Sequence, residues 1–309
     1  MQKGKGIKMK IRELFDEKKL VYSFEIFPPK PVYSIDTVFS TIEELSILKP
    51  DYISVTYGAG GSIINNRTAE ISSLIKNKYN IEALAHLTCI SSNEEQMQYI
   101  LKDLESKGVS NVLALRGDII DNGETLGEFK NSQDIIGYAK RNSNLGIAAA
   151  CYPEGHIESK DKNIDIDILK LKEEAGADYF ISQLFFDNNY FYDLLNKAEQ
   201  KGIKSPIQAG IMPVINKKQI ERIVSLCGAT LPSKFIKIIN KYEHNKEALR
   251  DAGIAYAQEQ IVDLISSEVR GIHLYSMNNP YIAKTITKGI GSIINSINEI
   301  PLSTAISGN

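Results

Sequence analysis

The sequence predicts an α/β fold of the (β/α)8 TIM-barrel type, with extra helices before the last strand. Three observations predict it: eight short β-prone runs, amphipathic helical segments between them, and polar residues collected at one end of the runs. Strands that alternate with helices form parallel sheets, and eight strand–helix units fit a closed barrel. A doubly wound open sheet is the competing fold.

The β-prone runs are short and rich in β-branched or aromatic residues. In chain order they are 21–27, 51–57, 81–89, 111–117, 146–153, 178–186, 206–213 and 271–277. The first four begin 30 residues apart, which suits one strand and one crossover helix per unit. The last interval is 65 residues and therefore has room for additional helices.

The helical segments have apolar residues at three- and four-residue spacing. They include 34–48, 94–107, 217–226, 233–242, 246–267 and 280–297. Segments 233–242 and 246–267 fill the long last interval, and they are the extra helices of the predicted fold. Pro280 suits the first turn of the closing helix, because the N–H that proline lacks has no intrahelical partner there.

Composition sets limits on the organisation and the class of the protein. The chain has 309 residues, of which 43% are hydrophobic and 24% charged, and no Pro, Gly and Ser-rich linker divides it. We therefore expect one catalytic domain over 1–309, with 1–12 as a flexible basic tail. The net charge of −2 gives no global field that would favour nucleic acid or an anionic membrane. No apolar run reaches the roughly 18 residues of a membrane span.

Cysteine and histidine usage predicts a cytoplasmic protein without a metal centre. The three cysteines form no CxxC pair and lie far apart, which is typical of reduced, intracellular thiols. The four histidines show no HExxH or HxH pattern, so a zinc site is not expected.

Glu25 is the most informative residue of the chain. It lies near the end of the apolar run 21–27, which the pair Pro28 and Pro29 then stops. Burial of a charged carboxylate is costly, so we expect Glu25 to hold its proton more tightly than a free glutamate. A protein makes a general acid near neutral pH in this way. The alternative is a strand-end carboxylate paired with Lys or Arg.

Other polar residues mark the carboxyl ends of the runs, where barrel enzymes have their active sites. They are Thr56, Tyr57, His86, Thr88, Arg116, Asp118, Tyr152, Glu154, His156, Gln183, Asp187, Tyr275, Asn278 and Asn279. Solvent at the strand ends explains Asp187 and Asn279. It does not explain Glu25, His86 and Gln183, which lie inside apolar runs.

Several of these residues have a chemical use and a plainer structural alternative. The glycine-rich stretch 58–62 lets a ligand approach the backbone, but it is not a dinucleotide fingerprint, because Ile63 stands where the third glycine would be. Arg116 can fork onto a phosphate or pair with Asp118. His156 can contact a phosphate or a ribose, or lie on a surface loop.

Two further residues also have both a functional and a structural interpretation. Lys172 by itself is typical of a solvated helix face. Gln183 carries both a donor and an acceptor, which suits the edge of an amide-like heterocycle. Its alternative is a buried amide satisfied by the backbone.

Six motifs together resemble methylenetetrahydrofolate reductase. They are FEIFPP at 24–29, SVTYGA at 54–59, HLTC at 86–89, LRGD at 115–118, YPEGH at 152–156 and QLFFD at 183–187. The motifs follow the order and spacing of that family from about residue 20 to residue 295. The length is similar to that of the short bacterial form, which lacks the regulatory extension of eukaryotic relatives.

The resemblance implies an FAD-dependent reduction of 5,10-methylenetetrahydrofolate to 5-methyltetrahydrofolate, with NADH, NADPH or another donor reducing the flavin. Glu25 would be the general acid that protonates the folate nitrogen, and Asp118 a carboxylate that stabilises the cationic iminium. The implied folate contacts are Glu25, Gln183, Gln219 and Asn279. The implied FAD contacts are Thr56, Tyr57, Ala59, His86, Arg116, Gly117, Asp118, Ser132, Tyr152, His156, Asp165 and Lys172.

The chain departs from the family pattern at two positions. Asn131 stands where many relatives have a tyrosine, so the aromatic contact with the adenine is either absent or supplied by Phe129. Asn279 stands where many relatives have an arginine that helps to hold the folate tail.

Two other functions remain open at this point. A barrel lyase or aldolase for a phosphorylated substrate would use Arg116 and the stretch 58–62, and it would be colourless; the strand ends lack the Schiff-base lysine of an aldolase. Alternatively, the chain is the flavin subunit of a redox assembly with an iron–sulfur or zinc partner. NADH, NADPH and a reduced protein carrier are all open as the electron donor, and a homo-oligomer is open as the assembly.

Overall fold

Eight parallel strands form a closed barrel in chain order, β1-β2-β3-β4-β5-β6-β7-β8. The computed structural model describes residues 9–29, 33–57, 67–90, 92–117, 127–159 and 161–299. The strands are β1 Val21–Ile26, β2 Tyr52–Val55, β3 Glu82–Thr88, β4 Asn111–Leu115, β5 Gly146–Cys151, β6 Tyr179–Ser182, β7 Ile207–Ile211 and β8 Gly271–Tyr275. The predicted TIM-type barrel is confirmed, and all eight predicted runs contain a strand.

Helices cover the outside of the barrel. In the described ranges they are α1 Ile11–Glu17, α2 Asp36–Ser46, α3 Arg67–Tyr79, α4 Glu94–Ser106, α5 Ser132–Asn142, α6 Lys162–Ala175, α7 Asn188–Gln200, α8 Lys217–Cys227, α9 Ser233–Tyr242, α10 Lys246–Ser266 and α11 Pro280–Glu299. The extra helices before the last strand are confirmed as α9 and α10. None of the helices described here combines the length and the apolarity that crossing a membrane requires.

Several helices begin at an Asn or Asp whose side chain accepts a backbone N–H of the first turn. These N-caps are Asn93, Asn131, Asp161, Asp187, Asn216 and Asn245. Asp187 therefore has a local structural role at the start of α7. Asn131 caps α5 in the same way.

The barrel has an outer core, between strands and helices, and a lumen. Alternation along β1 shows both: Val21 belongs to the lumen cluster, whereas Tyr22, Phe24 and Ile26 belong to the outer core. By the same alternation, the side chains at 23 and 25 enter the lumen.

Helix α1 closes the amino end of the lumen. Its residues Ile11, Leu14 and Phe15 are buried in the lumen cluster, which also contains Tyr52 and Tyr179. The backbone N–H of Ile11 donates to the Asn111 side chain at 2.8 Å. The predicted flexible tail over 1–12 is therefore wrong at its end, because Ile11 already begins a buried helix; residues 1–8 lie outside the described residues.

Gly253 is a glycine that the packing of α10 requires. A Cβ at this position would lie 1.7 Å from the backbone carbonyl oxygen of Val214, which no side-chain rotation can relieve. We therefore expect Gly253→Ala to lower the free energy of unfolding by about 2 kcal/mol or more. Gly291→Ala in α11 is the matched control, because a Cβ there meets nothing within 4 Å. The control should raise stability by up to about 1 kcal/mol, and urea denaturation of both variants measures the difference.

Candidate active site

Glu25 lies in the lumen near the carboxyl end of β1. It is buried, with 7% of its surface exposed. In the register of the sheet it pairs with Ser54 on β2 and with Tyr275 on β8. The barrel therefore places this carboxylate among side chains from strands that are distant in sequence.

Two imidazoles and one hydroxyl surround the same carboxylate oxygen. His86 Nε2 lies 3.3 Å and His273 Nε2 lies 3.6 Å from Glu25 Oε2. The Ser54 hydroxyl donates to Oε2 at 3.3 Å. The sequence alternative for Glu25, a pair with Lys or Arg, is therefore replaced by a histidine cluster in the described part of the chain.

The environment lowers the pKa of Glu25. Burial raises this pKa, but the two imidazoles of His273 and His86 beside the carboxylate outweigh burial and bring the pKa to about 2. The expectation of a tightly held proton is therefore wrong for this structure, because strand periodicity shows burial but not the neighbours from β3 and β8. Glu25 is ionised at neutral pH, so a proton that it passes on must first reach it from a neighbouring group.

His86 is the neighbour best placed to exchange a proton with Glu25. Its side chain is buried, and its Nε2 has no hydrogen-bond partner among the described atoms. A buried polar atom without a partner is costly unless a ligand, a water or a proton transfer uses it. The 3.3 Å separation from Glu25 Oε2 makes such an exchange a local event.

A second feature, a cavity of about 660 Å³, lies at the carboxyl ends of β4 and β5 and is bordered by α5, α6 and α7. Its volume is within the range of about 300–1,000 Å³ that is usual for small-molecule sites. The cavity brings together six of the predicted FAD contacts. They are Arg116, Ser132, Tyr152, His156, Asp165 and Lys172.

Lys172 is a buried cation on the wall of this cavity. Its Nζ donates to the carbonyl oxygen of Ala150 at 2.7 Å and lies 5.6 Å from the centre of the Tyr152 ring. Burial lowers the pKa of Lys172 to about 8. The alternative of a solvated helix face is therefore wrong, and the position instead favours an anionic ligand, which would restore the stability of the charged form.

The loop after β5 arranges the other polar groups of the cavity. Arg116 makes two hydrogen bonds to the carboxylate of Glu158, at 2.7 and 2.9 Å. The His156 ring packs edge-on against Tyr152 with 4.7 Å between ring centres. The backbone N–H of His156 donates to the Asp165 carboxylate at 3.1 Å. The guanidinium of Arg116 and the ammonium of Lys172 suit the phosphates of a nucleotide, and the carboxylate of Asp165 suits its sugar hydroxyls.

The other predicted FAD contacts that the structure describes lie at or near the carboxyl ends of β2, β3 and β4. Thr56 and Tyr57 are half-buried, and the Thr56 N–H continues the sheet by donating to Ile26 O at 3.0 Å. Gly117 has φ +90°, and a Cβ there would lie 3.1 Å from Thr88, so this turn favours glycine. Ala59, Asp118 and the stretch 58–62 lie outside the described residues, so their roles stay predictions.

The three predicted folate contacts besides Glu25 are half-buried and come from different elements. Gln183 directly follows β6 rather than lying within it, and its Oε1 accepts the N–H of Leu184 at 2.9 Å. Gln219 lies in the first turn of α8, and Asn279 directly precedes α11. In the described ranges no hydrogen bond joins the three side chains, so their common role stays a prediction.

Phe129 does not line the cavity beside β4 and β5, so its contact with the adenine stays a prediction. Its side chain is buried in the outer core and packs against Tyr138 with 5.2 Å between ring centres. It is absent from the residues that line the cavity, whereas Asn131 lines it.

Four residues of these two sites were not predicted from the sequence. They are Ser23, Ser54, Glu158 and His273. A signal existed for three of them: Ser23 has the strand parity of Glu25, Ser54 that of Tyr52, and His273 that of Tyr275, so alternation places them in the lumen. Glu158 has no comparable signal, because its position depends on the course of a loop.

Comparison with known proteins assigns the family. A family profile described as methylenetetrahydrofolate reductase matches residues 10–291. The chain belongs to the methylenetetrahydrofolate reductase family. The 5,10-methylenetetrahydrofolate reductase of Escherichia coli is 32% identical over 269 residues, which cover 87% of this chain and 90% of that protein. The resemblance predicted from the six motifs is confirmed.

Longer relatives match along part of their length. Methylenetetrahydrofolate reductase (NADH) 1 of Arabidopsis thaliana is 32% identical over 299 residues, which cover 92% of this chain and 50% of that protein. The chain thus spans about half the length of the plant relatives that it matches.

Solved structures with low sequence identity share the fold of this family member. A Clostridium thermocellum protein that binds two copies of 5-methyl-5,6,7,8-tetrahydrofolic acid has a TM-score of 0.67 at 14% identity, over 93% of this chain and 100% of that chain. A phosphonopyruvate hydrolase has a TM-score of 0.53 at 13% identity, over 96% and 91% of the two chains. At such identities the likeness shows the barrel fold alone.

Proposed function

We propose that this chain catalyses the FAD-dependent reduction of 5,10-methylenetetrahydrofolate to 5-methyltetrahydrofolate. The observation that carries the proposal is the buried Glu25 carboxylate, which lies between His86 and His273 in the lumen of a barrel of this family. Reduction of the methylene group takes up one hydride and one proton. A carboxylate beside an imidazole is suited to handle the proton.

The cavity beside β4 and β5 fits the adenine-nucleotide part of FAD in its chemistry. Arg116 and Lys172 would hold the pyrophosphate, and Asp165 would accept hydrogen bonds from ribose hydroxyls. When it is bound, FAD supplies hydride transfer to the folate. Ser132, Tyr152 and His156 would complete the contacts, and the flavin-proximal positions at 56, 57 and 117 would lie nearer the lumen.

Glu25 would move the proton at the folate nitrogen. Because its pKa is lowered to about 2, Glu25 is ionised before substrate binds, and it must take up a proton before it can donate one. His86 Nε2 is 3.3 Å away and has no other partner in the described atoms, so we assign the loading of Glu25 to His86. The pair thus acts as the general acid, a refinement of the role first expected of Glu25 alone.

Folate recognition would fall to Gln183, Gln219 and Asn279. The side-chain carbonyl of Gln183 accepts the backbone N–H of Leu184, so the side-chain amide hydrogens of Gln183 are the groups offered to a pterin edge. Asp118 would add a carboxylate near the flavin.

The donor that reduces the flavin remains NADH, NADPH or a reduced partner protein. The Arabidopsis and maize relatives carry NADH in their names, which supports NADH as the first donor to test. The flavin-subunit alternative predicts poor oxidation of NADH by the isolated chain.

One spectroscopic titration separates these functions. Purified protein supplied with FAD should show a flavin absorbance band, NADH should bleach it anaerobically, and methylenetetrahydrofolate should restore it. A colourless protein without affinity for FAD would reject the proposal and favour the lyase. A flavin that NADH does not bleach, but that folate reoxidises after chemical reduction, would favour a partner subunit as the donor.

A further inference from the structure

A buried chain of hydrogen bonds begins at Gln208 on β7 and ends at Glu25. Gln208 is fully buried and accepts the Tyr52 hydroxyl through Oε1 at 2.6 Å. Its Nε2 donates to the Ile272 carbonyl at 2.9 Å and to Ser23 Oγ at 2.9 Å. Because a carbonyl can only accept, these contacts fix which end of the Gln208 amide carries the hydrogens.

The direction of the next hydrogen bond follows from this assignment. Ser23 Oγ accepts from Gln208, so its single proton is free to donate. The acceptor is His273 Nδ1, at 2.7 Å. An imidazole that accepts at Nδ1 carries its proton at Nε2 when it is neutral. Burial lowers the pKa of His273, which keeps the ring neutral.

The Nε2–H of His273 points to the group that contacts Glu25. It lies 3.3 Å from Ser54 Oγ, and the Ser54 hydroxyl in turn donates to Glu25 Oε2 at 3.3 Å. The direct distance from His273 Nε2 to Glu25 Oε2 is 3.6 Å, which is longer than a hydrogen bond. From Gln208 through Ser23, His273 and Ser54, one donor at each step is therefore oriented toward the carboxylate.

We propose that His273 is a positioning residue for Glu25: Ser23 and Gln208 hold it as the Nε2–H tautomer, and through the Ser54 hydroxyl it stabilises the carboxylate form. This inference rests on the proposed function, in which Glu25 passes a proton to folate. Stabilisation of the conjugate base makes Glu25 a stronger acid toward a weakly basic nitrogen.

The groups that surround His273 are consistent with the Nε2–H tautomer. Glu25 and His86 face the ring from β1 and β3, Tyr52 stacks on it with 5.8 Å between ring centres, and Tyr275 packs edge-on at 5.3 Å. Burial raises the pKa of both tyrosines, so Glu25 is the anion beside the ring, and it is on the Nε2 side.

The first test is independent of turnover. Two-bond 1H–15N correlation spectra of histidine-labelled protein distinguish a neutral ring protonated at Nε2 from one protonated at Nδ1. We expect the Nε2–H pattern for His273, and a mixture of the two tautomers in Ser23→Ala. A pure Nδ1–H pattern in the unsubstituted protein would overturn the inference, whether or not the chain reduces folate.

The second test measures the pH dependence of flavin reoxidation by folate. His273→Gln keeps an N–H near the position of Nε2, whereas His273→Leu removes it. We expect His273→Leu to slow reoxidation on the low-pH plateau by up to about tenfold and to move the fall in rate to higher pH by about one unit, because Glu25 loses a donor and becomes a weaker acid. His273→Gln should keep most of the reoxidation rate and stay close to the pH midpoint of the unsubstituted protein.

Two outcomes of this second test count against the inference. If His273→Leu keeps the pH midpoint of the unsubstituted protein, or if the Leu and Gln variants lose rate equally, His273 supports only the packing. FAD content and NADH bleaching check that both variants are folded. If the unsubstituted protein itself fails to reoxidise with folate, the proposed function fails, and the tautomer measurement still decides the hydrogen-bond assignment.

Discussion

Glu25→Gln is expected to slow reoxidation of the reduced flavin by methylenetetrahydrofolate by roughly 10²–10⁴-fold, the usual contribution of a general acid. Glutamine has the same shape but cannot carry the proton from His86 to the folate. FAD binding and bleaching by NADH should stay close to those of the unsubstituted protein, because Glu25 does not line the cavity beside β4 and β5. Anaerobic stopped-flow measurement of each half-reaction separates the two effects.

Glu82→Gln is the matched control for removal of a buried carboxylate. Glu82 is as buried as Glu25, with 7% exposed, but it begins β3 at the opposite end of the barrel and pairs with Lys76. Its substitution should change stability and leave both half-reactions intact. Equal folate rates in Glu25→Gln and in the unsubstituted protein would remove Glu25 from the mechanism and leave the family assignment standing.

The fold was predictable because local sequence carries its signals. The run 271–277 contains β8 and the segment 233–242 coincides with α9, since period and composition set those elements. The predicted run 178–186 is longer than its strand, because β6 ends at Ser182. Phe185 and Phe186 are buried against helices rather than in the sheet, and hydrophobicity alone does not separate these two kinds of burial.

The candidate site was predictable in position and less so in electrostatics. Strand alternation and the family motifs place Glu25 and His86 in the lumen. The pKa of Glu25 depends on which side chains lie across the barrel, and His273 is 248 residues away in sequence, at a register that local pattern does not reveal. Lys172 shows the same limit, because helix periodicity cannot tell an exposed lysine from one that reaches a strand carbonyl.

The two sites are electrostatically different, and this difference sets separate pH dependences. The lumen holds a carboxylate whose pKa is lowered to about 2, so it stays ionised above that pH in the free protein. The cavity holds a lysine whose pKa is lowered from 10.5 to about 8. Near neutral pH this lysine is mostly charged, so it can pair with a negatively charged ligand.

Lys172→Met is expected to weaken FAD binding by roughly 10–100-fold at pH 7. This range corresponds to the loss of one hydrogen bond to a charged group, because about 1.4 kcal/mol changes a dissociation constant tenfold. Methionine fills a similar volume and carries no charge to bury, so the fold should persist. Lys170→Met is the matched control, because Lys170 lies on the same helix but pairs with Glu173 and does not line the cavity. Fluorescence titration of FAD-free protein gives the dissociation constants.

The lowered pKa of Lys172 determines the direction in which FAD affinity changes with pH. Below about 8 the free protein already holds the proton that a phosphate favours, so affinity should be independent of pH there. Above about 8 the free protein has lost this proton, and FAD must take it up again on binding. Affinity should therefore fall as pH rises toward 10, by about tenfold per pH unit at most.

Lys172→Met should remove this slope, and Lys170→Met should keep it. Calorimetry at pH 9 in buffers of different ionisation enthalpy should detect proton uptake by the unsubstituted protein and none by Lys172→Met. Constant affinity between pH 7 and 9.5 in the unsubstituted protein would show that the cofactor phosphates lie away from Lys172. The buried cation would then be a structural support of the β5 carbonyl at Ala150, and the cavity would need another anchor for its anion.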